Sequence, residues 1–352
     1  MGMIKLPKSS IEYFKKHQDG IFQSGNLAEG QWNEKLKEFV KDLTSAKASV
    51  CTNSNGSGLV ALLSLYNYYF KRDLVLIQSN TMYGVKTMVP AGRCEISAVI
   101  QCQLETLMPS IEDIKNSISH FSEAEKKRSI ILLSHIGGII NPDIELIANL
   151  CKNENIILLE DCAHSFGATL NNNHSGLFGD AGVYSFYATK AIPAGEGGVL
   201  VTKNDEIGEM VSKFSIYDRF DQNLKIGNNI RISEVQALLT YSVIKEYRSI
   251  MDNKIMIANK YIEKCNELDI KHINQTLYGH DGNYYKFIIY NENLPISEFL
   301  PMLQTKTSSV YDYYLGESND DITTKHACLP IWYGQSSEVT QRVIEELVHS
   351  KL

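Results

Sequence analysis

"NIILLEDCAHSFGATL", residues 155 to 170, runs an apolar segment straight into an acid pair, Glu160 and Asp161. A short apolar run bounded by polar residues reads as a core strand of a parallel sheet, and ligands of α/β proteins gather beyond the carboxyl ends of such strands. Asp161 therefore stands where it would face a cation. Similar runs, "LVLIQ" at 74 to 78, "ISAVIQ" at 96 to 101 and "IILLS" at 130 to 134, alternate with longer helical patterns from about residue 45 to 205. That alternation predicts an α/β fold with a mostly parallel sheet and helices on its faces. "NPDIELIANLCKNEN" reads as a crossover helix, with Asn141 as cap, Pro142 at the first helical position and Ile144, Leu146, Ile147 and Leu150 as its apolar stripe.

"GVYSFYATK" at 182 to 190 and "GGVLVTKND" at 197 to 205 read as two further strands joined by a glycine-rich turn, which makes the sheet mixed. After "NNIRISEVQALLTYSVIKEY" the pattern is helical to about 267, and a long helix from near Ser233 is expected to lead out of the first domain. Two domains follow: residues 1–240, large and α/β, and residues 241–352, small and α+β. The second holds one clear strand, "NYYKFIIYN" at 283 to 291, and a serine-capped final helix, "SSEVTQRVIEELVHS"; the acidic "GESNDD" at 316 to 321 reads as a solvated loop.

With 352 residues, 43% of them apolar, the chain has material for a substantial core. Its formal charge of −7, from 34 Lys plus Arg against 41 Asp plus Glu, argues against a nucleic-acid partner. No segment approaches the roughly 18 apolar residues of a membrane helix, and the opening "MGMIKLPKSS" lacks a signal-peptide core, so a cytoplasmic location and no membrane partner are expected. Seven scattered cysteines, none spaced as CxxC, read as buried free thiols rather than metal ligands.

Three features recur where strands should meet loops. In "NSNGSGLVALLSL", Gly56 and Ser57 open an apolar helix whose free N–H groups suit a phosphate. Asp161 follows the core strand, and Lys190 in "YSFYATKAIPAGEGGVL" sits between a strand and the glycine turn. Singly these read as a helix cap, a second cap and a surface charge. Jointly they match the needs of pyridoxal phosphate: an amine for its aldehyde, an ionised carboxylate for its pyridine nitrogen, and phosphate donors.

At these residues the chain resembles the DegT/DnrJ/StrS-type nucleotide-sugar aminotransferases, a branch of the fold-type-I pyridoxal-phosphate enzymes. The resemblance runs from "SGNLAEG" through "NGSGLVAL" and "EDCAHSFGA" to "GLFGDAGVYSFYATKAIPAGEGGVLVTKN" and "GNNIRISEVQALL", and returns weakly in "CLPIWYGQSSEVTQRVIEEL". It implies a large mixed-sheet domain flanked by helices plus a smaller C-terminal domain. Position by position it makes Lys190 the Schiff-base lysine and Asp161 the partner of the pyridine nitrogen. His164 falls near the ring hydroxyl, and Gly56, Ser57 and Ser185 match the phosphate-binding positions. Asn229 matches an asparagine that reaches the phosphate of the neighbouring subunit's cofactor, which implies a homodimer with shared active sites. Met82 or Tyr83, after Thr81, would cover the ring, while Arg231 and Glu234 are expected to be no more than a structural pair. Two segments depart from the family pattern: "HIGG" at 135 to 138 replaces the usual His-Leu-Tyr-Gly, and no small-domain histidine segment is recognisable around "SSVYDYYLGESNDD".

The function implied is a two-stage amino transfer. An amino acid, glutamate by expectation, leaves its amine on the cofactor as pyridoxamine phosphate, and a nucleotide-linked keto-deoxysugar, at C4 rather than C3, receives it. Such amino sugars supply bacterial surface polysaccharide, including the O-antigen of lipopolysaccharide. Two alternatives stand beside it: a sugar dehydratase of the same fold, against which Lys190 and the lack of iron–sulfur cysteine spacing argue, and a non-catalytic pyridoxal-phosphate-binding regulator, for which no DNA-binding module is appended.

Overall fold

A computed structural model describes residues 4–276, 279–303 and 320–351. Its centre is a seven-stranded sheet in the order Ala48–Thr52, Gly198–Thr202, Ala181–Ser185, Ile157–Cys162, Ser129–Ser134, Leu74–Gln78, Glu95–Ile100. Gly198–Thr202 runs antiparallel to both its neighbours, and the other pairings are parallel, so the sheet is mixed in the way the two glycine-linked strands imply. Side chains alternate through it: Val75, Ile77, Ile130 and Leu132 enter one apolar cluster, Leu76, Ile131 and Leu133 the other. Helix Asn55–Phe70 adds Leu59, Leu62 and Leu63 to the first, and helix Ile144–Asn153 adds Ile144, Ile147 and Cys151 to the second. Both faces are thus dry, which is why the strands read as unbroken apolar runs, and each fully buried Leu or Ile contributes about 1.5–3 kcal/mol by leaving water.

Local structure departs from the sequence reading in several places. The crossover helix starts at Ile144, two residues later than Pro142 would have it, because the Asn141 side chain accepts from Asp143 N–H at 2.8 Å and shapes a turn instead of a cap. Leu146, assigned to its apolar stripe, is 54% exposed, and Cys151 takes the inward place. The long helix from Ser233 is two, Glu234–Ile244 and Tyr247–Glu267, with Ser233 capping the first by accepting from Gln236 N–H at 3.2 Å. Arg231 and Glu234 do not pair. Arg231 leans on Glu29 at 3.8 Å, whereas the buried Glu234 carboxylate accepts from the backbone N–H groups of Gly30, Trp32 and Asn33 at 3.0, 2.8 and 3.0 Å. It thereby caps helix Gln31–Thr44, where an anion also meets the positive end of the helix dipole.

The C-terminal part builds a three-stranded antiparallel sheet, Lys271–His272, Phe287–Tyr290 and His326–Leu329, with an apolar cluster of its own that includes Tyr261, Phe287 and Val343. The strand expected over 283 to 291 is therefore shorter. Residues 283 to 286 leave the sheet to reach the first one, as described below. Most of the acidic stretch 316 to 321 lies outside the described residues, as does most of the region around "SSVYDYYLGESNDD". All seven cysteines are free and buried.

Candidate active site

Strand register gathers the site. Ser134 pairs with Asp161, Asp161 with Val183, and Ser185 with Gly198, so the carboxyl ends of three parallel strands and the amino end of the antiparallel Gly198–Thr202 strand form one edge. Asp161 is buried there, and its carboxylate accepts from Asn55 Nδ2 at 3.0 Å, Ala163 N–H at 3.1 Å and Ser134 Oγ at 3.2 Å. Because Ser134 donates to Asp161, the Thr81 hydroxyl, 2.8 Å from Ser134 Oγ, is the donor in that pair. A chain of hydroxyls therefore ties the Thr81–Met82 segment to the carboxylate.

Above this edge lies a cavity of about 470 Å³. Gly56, Met82, His164, Ser185 and Lys190 line it, together with Ser54, Asn55, Tyr285 and Lys286, which the sequence reading did not single out. Helix Asn55–Phe70 points its first turn at the cavity. Ser54, extended, caps it by accepting Ser57 N–H at 3.1 Å, so the helix opens one residue before Gly56. Ser57 Oγ turns instead to Asn53 and to Ser54 Oγ, and Ser57 is not a wall of the cavity. Tyr83, 47% exposed, and Asn229, exposed with its side chain accepting from Arg231 N–H at 3.3 Å, also lie outside the lining.

Lys190 follows the Ala181–Ser185 strand in a loop closed by Ala188 N–H on Gly195 O at 3.0 Å and Ala194 N–H on Phe186 O at 2.9 Å. Gly195 and Gly197, at φ +92° and +130°, make the turn that returns the chain. Burial pushes the Lys190 amine down to about 8, with the Asp161 charge opposing the fall and the Lys286 charge deepening it. His164 is buried and packs on the Tyr285 ring, centroids 4.2 Å apart. Burial above all, then the charges of Lys190 and Lys286, holds its imidazole well below the usual range, so it stays neutral.

Tyr285 reaches His164 because of the "HIGG" segment. Asn283 N–H and Lys286 N–H donate to Gly138 O and Gly137 O, each at 2.9 Å, and Asn283 Nδ2 donates to the carbonyls of His164 and Phe166 at 2.8 and 2.9 Å. Gly138 has φ +117°, and a Cβ there would lie 2.4 Å from Asn283 Oδ1 and 2.7 Å from Tyr285 N. Glycine at 138 is thus the condition for the C-terminal segment to dock. Asn55 stood beside a motif already singled out, and a capped helix start was its available signal; Tyr285 and Lys286 carried no local signal beyond strand.

Next to Asp161, the fully buried Glu160 accepts from His135 Nε2 at 2.8 Å and from the N–H groups of Gly176, Phe178 and Gly179 at 2.7, 2.8 and 2.7 Å. Asn141 N–H donates to His135 Nδ1 at 3.1 Å, which leaves Nε2 to donate to Glu160. His135, Glu160 and Cys162 hold ligand-type atoms within 4.8 Å of one another, yet these hydrogen bonds already use both carboxylate oxygens and both ring nitrogens. The cluster braces the 175–179 loop under the Lys190 strand.

An amine of lowered basicity and a capped helix start on one cavity, with the buried Asp161 carboxylate one hydrogen bond behind its Asn55 and Ala163 walls, form a donor set that fits pyridoxal phosphate. The model of the DegT/DnrJ/EryC1/StrS aminotransferase family matches residues 9–348, and the chain belongs to that family, whose cofactor is pyridoxal phosphate. Among curated proteins it is 31% identical over 196 residues to GDP-perosamine synthase of Vibrio cholerae, covering 55% of this chain and 50% of that protein. It is 24% identical over 249 residues to UDP-4-amino-4,6-dideoxy-N-acetyl-beta-L-altrosamine transaminase of Helicobacter pylori, covering 68% and 64%. The chain thus spans between half and two thirds of the length of these curated relatives. In fold it resembles the solved DegT DnrJ EryC1 StrS aminotransferase from Brucella abortus, with TM-score 0.86 at 16% identity over 100% of this chain and 99% of that one. Helicobacter pylori PseC, an aminotransferase involved in the biosynthesis of pseudoaminic acid, gives 0.84 at 18% identity over 99% and 97%.

Proposed function

We propose that this protein is a pyridoxal-phosphate-dependent aminotransferase that moves an amino group from glutamate to the C4 keto group of a nucleotide-linked deoxysugar. The observation that carries the reading is Lys190, an amine pushed down to about 8 on the wall of a cavity whose lining residues Asn55 and Ala163 donate hydrogen bonds to the buried Asp161 carboxylate behind them. When bound, pyridoxal phosphate supplies an aldehyde that takes up amines and a ring that accepts electrons. Lys190 Nζ would hold the aldehyde group and would serve as the base that takes up and returns a proton at Nζ. Asp161 keeps a proton on the ring nitrogen, and its three hydrogen bonds keep the carboxylate aimed. The helix start at Ser54–Gly56 and Ser185 would hold the phosphate, and Met82 and neutral His164, on the same cavity, would contact the ring.

The 4-amino product in the name of the Helicobacter pylori relative, and the sugar nucleotides in both curated names, support C4 and a nucleotide sugar. The position of Asn229, exposed and away from its own cavity, agrees with a role in the partner's site of a homodimer. No helix among the described residues is long and apolar enough to cross a membrane. The reading places the enzyme in the cytoplasm, in the supply of amino sugars for surface polysaccharide. Adding glutamate to the purified, cofactor-loaded protein should shift its absorption to the amine form, and a nucleotide keto-sugar should reverse the shift. A spectrum that ignores glutamate and every other amino donor leaves a binding protein in place of the enzyme.

A further inference from the structure

Thr189, Lys190 and Tyr285 also wall a second, smaller chamber of about 50 Å³. Its other walls include Lys254, Lys5, Trp332 and Tyr333, and among the described residues no carboxylate lines it. Lys254, on helix Tyr247–Glu267, is 3% exposed and makes no hydrogen bond or ion pair among the described residues; the Tyr285 ring centroid lies 6.0 Å from its Nζ. Lys190 Nζ lies 5.3 Å from the same centroid, so the two amines flank one ring. Lys5 is occupied, its ammonium donating to Gly334 O at 2.9 Å.

A buried ammonium with no acceptor is costly, and the group escapes that cost by losing its proton or by meeting an anion. Burial, aided by the Lys286 charge, pushes the Lys254 amine down to about 7, so near neutral pH it stands ready for either course. The titratable groups facing it are Lys5, Lys190, Tyr285, Lys286 and Tyr333, and none brings a negative charge at that pH. At about 50 Å³ the chamber has room for a group the size of a carboxylate.

We propose that this chamber is a carboxylate subsite, in which Lys254 takes up a proton and pairs with a carboxylate of the amino-acid donor beside Lys190. The assignment rests on the aminotransferase reading and extends it to donor recognition. Only a proton moves: a solvent O–H gives it to the unprotonated fraction of Lys254 Nζ, forming an N–H bond as the carboxylate enters, and solvent recovers it when the keto acid leaves.

The test uses the cofactor-loaded full chain and glutarate, a dicarboxylate with no amine, titrated calorimetrically in two buffers of different ionisation heat. Wild type should bind glutarate with proton uptake. Lys254→Met should bind it about tenfold to a hundredfold more weakly and without uptake, the range for losing one charge-assisted hydrogen bond, and Lys254→Arg should recover most of the affinity. Lys254→Met should also melt above wild type at pH 7, because it removes an unpaired buried amine. A lysine of lowered folded pKa destabilises most below that pKa and least near its ordinary value, so the gap should close toward pH 10. A guanosine diphosphate titration should give the same affinity for all three proteins. Glutarate binding unaffected by Lys254→Met, absent from wild type, or lost in parallel with guanosine diphosphate would overturn the proposal. Lys254-dependent glutarate binding in a protein that never takes the amine from glutamate keeps the subsite and removes the aminotransferase reading; amine uptake with Lys254-independent glutarate binding does the reverse.

Discussion

On the proposed reading Lys190 captures the cofactor's aldehyde and must be a free amine to do so, so the rate of capture reports its protonation. With the amine held at about 8, roughly a tenth of the molecules are reactive at pH 7, against about three in ten thousand for a lysine at its ordinary value, an advantage of roughly 300-fold. Stopped-flow absorbance after mixing apo-protein with pyridoxal phosphate should show the rate rising about tenfold per pH unit below 8 and levelling above it. Two variants fix the cause. Lys286→Met removes a positive neighbour and should move the midpoint up; Asp161→Asn removes the negative neighbour and should move it down. A rate still climbing past pH 10, or midpoints that move together in one direction, would refute the electrostatic account of Lys190.

Glu160→Gln, which sets an amide against four donors, should cost about 3 kcal/mol in urea unfolding and loosen the 175–179 loop; unchanged stability would mean that the His135–Glu160 brace is idle. Glu234→Gln should lower the unfolding free energy by about 2 kcal/mol at neutral pH, while Arg231→Gln, whose partner Glu29 is 3.8 Å away and half-exposed, should lower it little. Gly198→Ala would place a Cβ 2.7 Å from Ser54 C and 2.8 Å from Asn55 N, so it should push the helix start out of place. Its cost of about 1–3 kcal/mol should appear as weaker cofactor binding in equilibrium titration, and wild-type affinity would show that the Ser54–Gly56 turn does not need that close approach.

Local pattern carried the parallel strands and the crossover helices and singled out Gly56, Asp161 and Lys190, which the fold brings close to one cavity, because hydrophobic periodicity and short motifs are properties of neighbouring residues. The burial of both sheet faces left its mark in unbroken runs such as "IILLS", and the mixed strand in the glycine turn before it. Tertiary structure decided the rest. Glu234 caps a helix 204 positions earlier through Gly30, and Asn283 stitches itself to His164 across 119 positions; neither partnership leaves a periodic trace. The same is true of Tyr285, which becomes a wall shared by two cavities when Gly137 and Gly138 let its segment approach, and of Lys254, which reads as an ordinary helix charge until folding buries it. Chemistry held within one motif was legible from the chain, whereas chemistry assembled from distant segments depends on contacts whose energies arise only when water is excluded between them.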